Sequence, residues 1–303
     1  MAVVLVLGAS GLFGNQTARA FAAAGWEVRR YRRGTDMTAA AQGADVIVNG
    51  LNPPKYHDWV RLIPQITAQV IEAARASGAT VIVPANVYVY GDQSGPWGPD
   101  TPHLPCSRKG AIRAKMEAEY RNARVPVILL RGGDFLDAEA AGSVMNFVVM
   151  KGLGRGRLTA IAKPDVARAY AYLPDMARAA VALAERRASL PRFADIPFAG
   201  LTFTLRQWQA EISRQTGRAL QMRPFPWWQL ALLSPFWELA RELREMRYLY
   251  ETPHQLDAAP LNALLPAFQT SNLAQVVAAH LAAKGSELHL DPQRAVAGGF
   301  RQN

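Results

Sequence analysis

Ala2 to Leu7 is an unbroken apolar, β-branched run that stops at Gly8. That is the pattern of a central parallel strand buried on both faces. A glycine-rich break follows, and Asn15 to Ala24 then reads as an alanine-rich helix closed by Gly25. A second strand from Trp26 to about Arg32 completes a βαβ unit whose glycines lie between the first strand and the first helix. Apolar runs at Asp45 to Asn49, Thr80 to Pro84 and Val125 to Arg131 predict further buried strands, separated by helices over His57 to Ser77 and Lys109 to Asn122. In the first of these helices Trp59, Ile63, Ile66 and Val70 recur at helical spacing as a core-facing stripe, and Pro64 predicts a kink. Between Arg33 and Asp45 only a short crossover fits, so the usual third strand and its helix must be cut down. Alternation of this kind predicts an α/β fold with a doubly wound parallel sheet.

After Arg131 the periodicity loosens. Helices are expected over Asp175 to Arg187 and Thr204 to Thr216, with short strands at Arg192 to Pro197 and Ala219 to Arg223. These pieces predict a smaller α+β C-terminal lobe over residues 191–303, following a nucleotide-binding domain over residues 1–190, with residues 134–165 a candidate interleaved piece. Pro224 to Trp237 is the most hydrophobic exposed candidate, carrying Trp227, Trp228, Phe236 and Trp237. The helix expected over Glu238 to Tyr250 puts Leu239, Leu243 and Met246 on one face. On the other, Glu238, Glu242 and Glu245 interleave with Arg241, Arg244 and Arg247. Because that face is balanced rather than basic, a lobe helix pair whose tryptophans line a pocket is favoured over a membrane-surface or dimerisation device.

The chain has 303 residues, 50% of them hydrophobic, enough for a full core. No run reaches the roughly 20 apolar residues of a membrane span, and the first residues already read as a strand, so a cytoplasmic protein is expected. The single cysteine, Cys106, cannot form an internal disulfide, and no zinc-ligand spacing occurs, so no metal is expected. A formal charge of +10 raises the question of nucleic acid. Arginine is spread through nearly every helix, however, with one dense cluster at Arg29, Arg30, Arg32 and Arg33, which argues against a nucleic-acid partner.

Gly8-Ala9-Ser10-Gly11-Leu12-Phe13-Gly14 joins a buried strand to a helix start, the context in which such spacing binds a dinucleotide and marks a Rossmann-type sheet. Gly8 permits the turn, Gly11 lets backbone amides approach a pyrophosphate, and Gly14 lets the helix pack on the sheet. At the tip of the second strand, where an NAD site carries a carboxylate, stand Arg32 and Arg33. Guanidinium groups grip a 2′-phosphate, so NADP is expected over NAD.

With these residues the chain resembles the extended short-chain dehydrogenase/reductases, the NAD-dependent epimerase/dehydratase family, and among them the atypical members. The resemblance covers roughly residues 2–190. Asp36-Met37 resembles the family's Asp-aliphatic pair beside adenine, and Gly50-Leu51-Asn52 sits in the loop that follows a cofactor-flanking strand. Val89-Tyr90-Gly91-Asp92, Leu130-Arg131-Gly132-Gly133-Asp134 and Tyr172-Leu173-Pro174-Asp175 match further family segments in order. The family's catalytic Ser/Thr, Tyr and Lys fall on Asn86, Lys109 and Arg113, and all three depart from it. The resemblance then implies that Arg113 bonds the nicotinamide ribose and that Asn86 bonds cofactor or a substrate oxygen. Lys109, its pKa depressed by Arg113 four residues on, is a candidate proton donor, with Tyr88 and Tyr90 as rivals. His57, His103, His254, His280 and His289 form no constellation.

The expected function is therefore an NADP-dependent oxidoreductase acting on a carbonyl or hydroxyl of an unidentified small molecule. A non-catalytic NADP(H) redox sensor and, third, a nucleotide-sugar epimerase/dehydratase are the alternatives. Homodimerisation through the helices at His57 to Ser77 and Lys109 to Asn122 is what the resemblance implies.

Overall fold

The computed structural model describes residues 1–161 and 163–285. His289 lies outside the described residues. β1 (Val3–Leu7) is buried along its length and leads through the glycine turn into α1 (Leu12–Ala23), after which β2 (Glu27–Arg30) returns parallel to β1. Only α2 (Met37–Ala40) remains of the next crossover, so β3 (Val46–Asn49) pairs directly with the other side of β1. α3 (Trp59–Ser77), β4 (Thr80–Ala85), α4 (Arg108–Asn122) and β5 (Val127–Arg131) continue the alternation. Pro64 does not interrupt α3; its missing N–H would have met the carbonyl of Val60, a residue exposed to solvent.

The chain then leaves the sheet through β6 (Asp134–Leu136), β7 (Arg157–Ala160) and β8 (Arg168–Tyr172). α5 (Leu173–Glu185) carries it back to β9 (Phe193–Pro197), which pairs parallel with β5. The main sheet thus has six parallel strands in the order β2-β1-β3-β4-β5-β9. α1 and α5 cover one face, while α2, α3 and α4 cover the other, which makes the fold a doubly wound α/β sheet of Rossmann type. The boundary expected at residue 190 is corrected, because Phe193–Pro197 is a sheet strand and not part of the lobe. The reason is that α5 buries its apolar side against α1, so the crossover has to deliver the next strand to the free edge of β5.

Most of the remaining described elements build the lobe: β10 (Leu201–Phe203), α6 (Leu205–Thr216), β11 (Gln221–Pro224), α7 (Trp227–Leu233), α8 (Glu238–Glu245), α9 (Arg247–Glu251) and, after α10 (Ala259–Leu264), which packs Leu261 on the main-sheet core beside β9, α11 (Leu273–Ala283). β10, β8 and β6 form a three-stranded sheet, and β11 pairs parallel with β7. The segment between β5 and α5 is therefore interleaved with the C-terminal residues. Trp208, Phe203 and Tyr170 stack at the centre of this second core. The single helix expected over Glu238 to Tyr250 is broken at Met246, where the backbone leaves helical geometry so that Met246 and Leu249 can pack on Val89 and Trp97. Among the described residues no helix is long and apolar enough to cross a membrane.

Candidate functional site

The cofactor end of the site is built from backbone. Gly8 turns the chain at φ +70°, and a Cβ there would meet the carbonyl oxygen of Gly50 at 2.6 Å. A Cβ on Gly14 would lie 2.2 Å from the carbonyl oxygen of Gly8. The three glycines interlock, because any side chain would push β1, α1 and the loop after β3 apart. Gly11 donates its amide to the Gly8 carbonyl at 2.9 Å and caps α1 with no side chain of its own. The first amides of α1, beginning at Leu12 and Phe13, thus open towards the turn, and no acidic residue stands in that first turn. Such a helix start attracts phosphate. Beside it lies a cleft of about 550 Å³ lined by Gly8, Ala9, Ser10, Arg30, Tyr31, Arg33 and Leu51.

Several expected cofactor residues have other duties. The Phe13 side chain is buried and stacks on Phe135 in the core, leaving only its backbone for a ligand. Asp36 caps α2 by accepting the amides of Thr38 and Ala39, and Met37 is buried in the core beneath. The pair expected beside adenine thus opens the short helix that replaces the missing crossover, one oxygen of the Asp36 carboxylate capping it. Arg32 and Arg33 are exposed, and neither guanidinium is held by another side chain among the described residues. Arg30, a member of the arginine cluster, and Tyr31, which the sequence reading passed over, line the cleft beside Arg33.

At the other end of the sheet edge, Asn49 donates to the Tyr120 hydroxyl at 2.9 Å and accepts the Leu51 amide, which fixes the loop Gly50-Leu51-Asn52. Asn52 accepts a hydrogen bond from Arg113 Nη2 at 2.8 Å. The Arg113 guanidinium is buried over the Trp59 ring, burial weakens its hold on the proton, and its Nε has no partner among the described residues. Asn86 accepts the Tyr88 amide through its side chain, and its carbonyl receives Arg131 Nη1 at 2.6 Å. Arg131 is fully buried and also reaches Glu117 on α4 and Asp195 on β9, the latter at 2.6 Å. His103, Glu117 and Asp195 bring ligand atoms within 4.8 Å of one another, but the Arg131 guanidinium occupies both carboxylates. This is an ion-pair network rather than a cation site.

Lys109 is where the structure departs most from the sequence reading. The expectation placed its ammonium against the positive field of Arg113. Instead Nζ is buried between two carboxylates of α8, bonded to Glu242 and, at 2.6 Å, to Glu245. Glu245 also accepts the Lys109 amide. The reason lies in the lobe: α8 presents Glu242 and Glu245, three residues apart and so on one face, to the start of α4, and a buried ammonium needs such partners. By sequence that face is a balanced run of charges, and Glu242 on it is 3% exposed.

Tyr88, a rival donor in the sequence reading, gathers beside Lys109 with tyrosines that the reading did not bring to it. The Tyr88 hydroxyl lies 3.4 Å from that of Tyr56, whose ring carries Lys109 Nζ at 5.1 Å. Arg168 pairs with Asp134, bonds the Tyr170 hydroxyl at 2.6 Å and lies over the Tyr250 ring. Burial, and then the neighbouring Tyr56, holds the Tyr88 phenol well above the ordinary tyrosine value. Burial likewise pushes Tyr170 up to about 12, with Arg168 opposing. Tyr88 thus keeps its proton across the physiological range. Tyr90, the rival donor, gives its hydroxyl to the Gly98 carbonyl and is occupied. Trp228 and Trp237, expected to line a substrate pocket with Trp227, are exposed; Trp227 alone turns inward and donates Nε1 to the Ile161 carbonyl at 2.7 Å.

No protein-family model and no curated protein sequence matches the chain. Solved structures do. MoeE5 in complex with UDP-glucose and NAD has a TM-score of 0.74 at 14% identity, over 95% of this chain and 100% of that one. UDP-glucuronic acid 4-epimerase from Bacillus cereus in complex with NAD has a TM-score of 0.74 at 16% identity, over 94% and 99%. A UDP-galactose 4-epimerase has a TM-score of 0.67 at 18% identity, over 95% and 100%. The named dinucleotide in these complexes is NAD, which overturns the expectation of NADP. Exposed, unheld arginines at the β2 tip supply positive charge but not the fixed geometry that reads a 2′-phosphate. Over nearly its whole length, lobe included, the chain has the fold of the extended short-chain dehydrogenase/reductases, that of the Rossmann-type nucleotide-sugar epimerases.

Proposed function

We propose that the chain binds NAD in the cleft beside Gly8 and acts by oxidoreduction on a nucleoside-diphosphate sugar held between the sheet edge and the lobe. The interlocked Gly8, Gly14 and Gly50 carry this reading, since they leave the backbone bare where a pyrophosphate has to approach. The unpartnered Nε of Arg113 adds to it, because a buried donor without a partner calls for a ligand atom. Bound in its reduced form, the dinucleotide would supply hydride to a carbonyl carbon of the sugar, whose oxygen then needs a proton. The similar complexes with NAD and a UDP-sugar supply the substrate class.

Tyr88 takes the proton-transferring role in this proposal. Its high pKa suits it to give a proton to an oxygen that gains charge, and suits it poorly as a resting base. Lys109, neutralised by Glu242 and Glu245, positions α8 over the site and is not the donor. The same neutralised lysine, where the family has its tyrosine, favours a second reading, binding of NAD without turnover.

Calorimetry with NAD and UDP-glucose, followed by a turnover assay over UDP-sugars, tests the assignment. Tyr88→Phe is expected to cut turnover about 100-fold while NAD affinity stays within about three-fold. Turnover unchanged in Tyr88→Phe would remove Tyr88 from the chemistry. NAD binding without turnover of any UDP-sugar would leave the second reading, and failure to bind NAD would overturn both.

A further inference from the structure

Ten large hydrophobic side chains stand exposed among the described residues, and five of them, Trp228, Leu232, Leu233, Phe236 and Trp237, fall between positions 228 and 237. Trp228 and Leu232, four residues apart on α7, share one face and are 64% and 68% exposed; Phe236, in the turn that follows, is 92% exposed. This is not a frayed end. Leu230 and Trp227 anchor the opposite side of α7 in the lobe, and Arg244 Nη1 holds the turn through Ser234 Oγ at 2.7 Å. The result is a fixed apolar projection with aromatic side chains at its tip.

The chain leading into it is basic. No acidic residue occurs from Ile212 to Trp237, whereas Arg218 and Arg223 do. The acidic groups that follow are engaged: Glu238 with His57, and Glu242 and Glu245 with Lys109. Arg241 and Arg108, which flank Glu242, keep more than half of their side chains exposed. The whole chain carries +10, so a second copy would have to approach against like charge, while an anionic surface would be attracted. An aromatic and aliphatic tip on a strongly basic chain, with the half-exposed Arg241 one helical turn after Trp237, is what an interfacial anchor presents to a lipid headgroup region.

We propose that α7 and the turn into α8 dock the protein on an anionic phospholipid surface, with Trp228, Leu232 and Phe236 entering the acyl boundary and Arg241 meeting headgroup phosphates. The test is co-sedimentation with phosphatidylcholine vesicles containing about one-third phosphatidylserine, against phosphatidylcholine alone, at about 0.15 M salt. The wild-type protein is expected to partition about ten-fold more strongly onto the anionic vesicles. The variant Trp228→Ser, Leu232→Ser, Phe236→Ser is expected to lose about ten-fold of that binding, with an unchanged melting temperature because the three side chains are exposed. Arg241→Glu should weaken binding to the anionic vesicles alone. A wild-type protein that stays in the supernatant, or a triple variant that binds as well as wild type, overturns the proposal. So does self-association that the triple variant abolishes without any vesicle binding, which would assign the patch to a second copy of the chain.

Discussion

Gly14→Ala is expected to weaken NAD binding by about 100-fold. The added Cβ would stand 2.2 Å from the Gly8 carbonyl oxygen and 2.8 Å from its carbon, both backbone atoms that no rotamer change can move aside. α1 must then slide away from the turn, and its first amides leave the phosphate position. Losing one or two charge-assisted hydrogen bonds, each about 1.5–3 kcal/mol, accounts for a change of this size. Overpacking adds about 1–3 kcal/mol of destabilisation, so calorimetric titration and thermal melting should both report the substitution. Gly142→Ala is the control, since a Cβ there meets nothing within 4 Å. NAD affinity within about three-fold of wild type in Gly14→Ala would show that the dinucleotide, if bound, lies elsewhere.

Arg131→Met should destabilise the fold by about 3–5 kcal/mol, since it leaves Glu117 and Asp195 as buried carboxylates without their cation. For a chain of this size that corresponds to a fall in Tm of about 10 °C. The loss reaches the site as well, because the Asn86 carbonyl loses the donor that fixes the start of the turn carrying Tyr88. Replacing all three charges, as Arg131→Met with Glu117→Gln and Asp195→Asn, is expected to recover most of the melting temperature, since buried charges are then absent. A single Arg131→Met variant that melts within about 2 °C of wild type would show that the network contributes little. It would also separate the position of Tyr88 from the ion pairs below it.

The α/β alternation, the reduced crossover after β2 and the glycine turn were legible in the sequence because each is a local property. Buried parallel strands are continuous apolar runs, and Gly8 and Gly14 answer to backbone geometry within a few residues of themselves. The resemblance pointed to the right fold on similarly local segments. It could not tell NAD from NADP, since Arg32 and Arg33 in the sequence look the same whether a guanidinium is fixed or free. Tertiary structure decided everything that depends on a partner distant in sequence. Lys109 faces Glu242 and Glu245, more than 130 residues away, rather than the Arg113 beside it on α4. Tyr56 and Tyr88 meet only because the turn before α3 and the turn after β4 converge. Phe193–Pro197 joins the main sheet because α5 packs on α1. The apolar periodicity of the lobe says which side chains seek cover, but only the packed lobe shows that Trp227 finds it and that Trp228 and Phe236 do not. Local pattern thus fixes the elements and the phosphate turn, because backbone sterics act over a few residues. Charge partners and exposure are fixed only when helices from opposite ends of the chain come together.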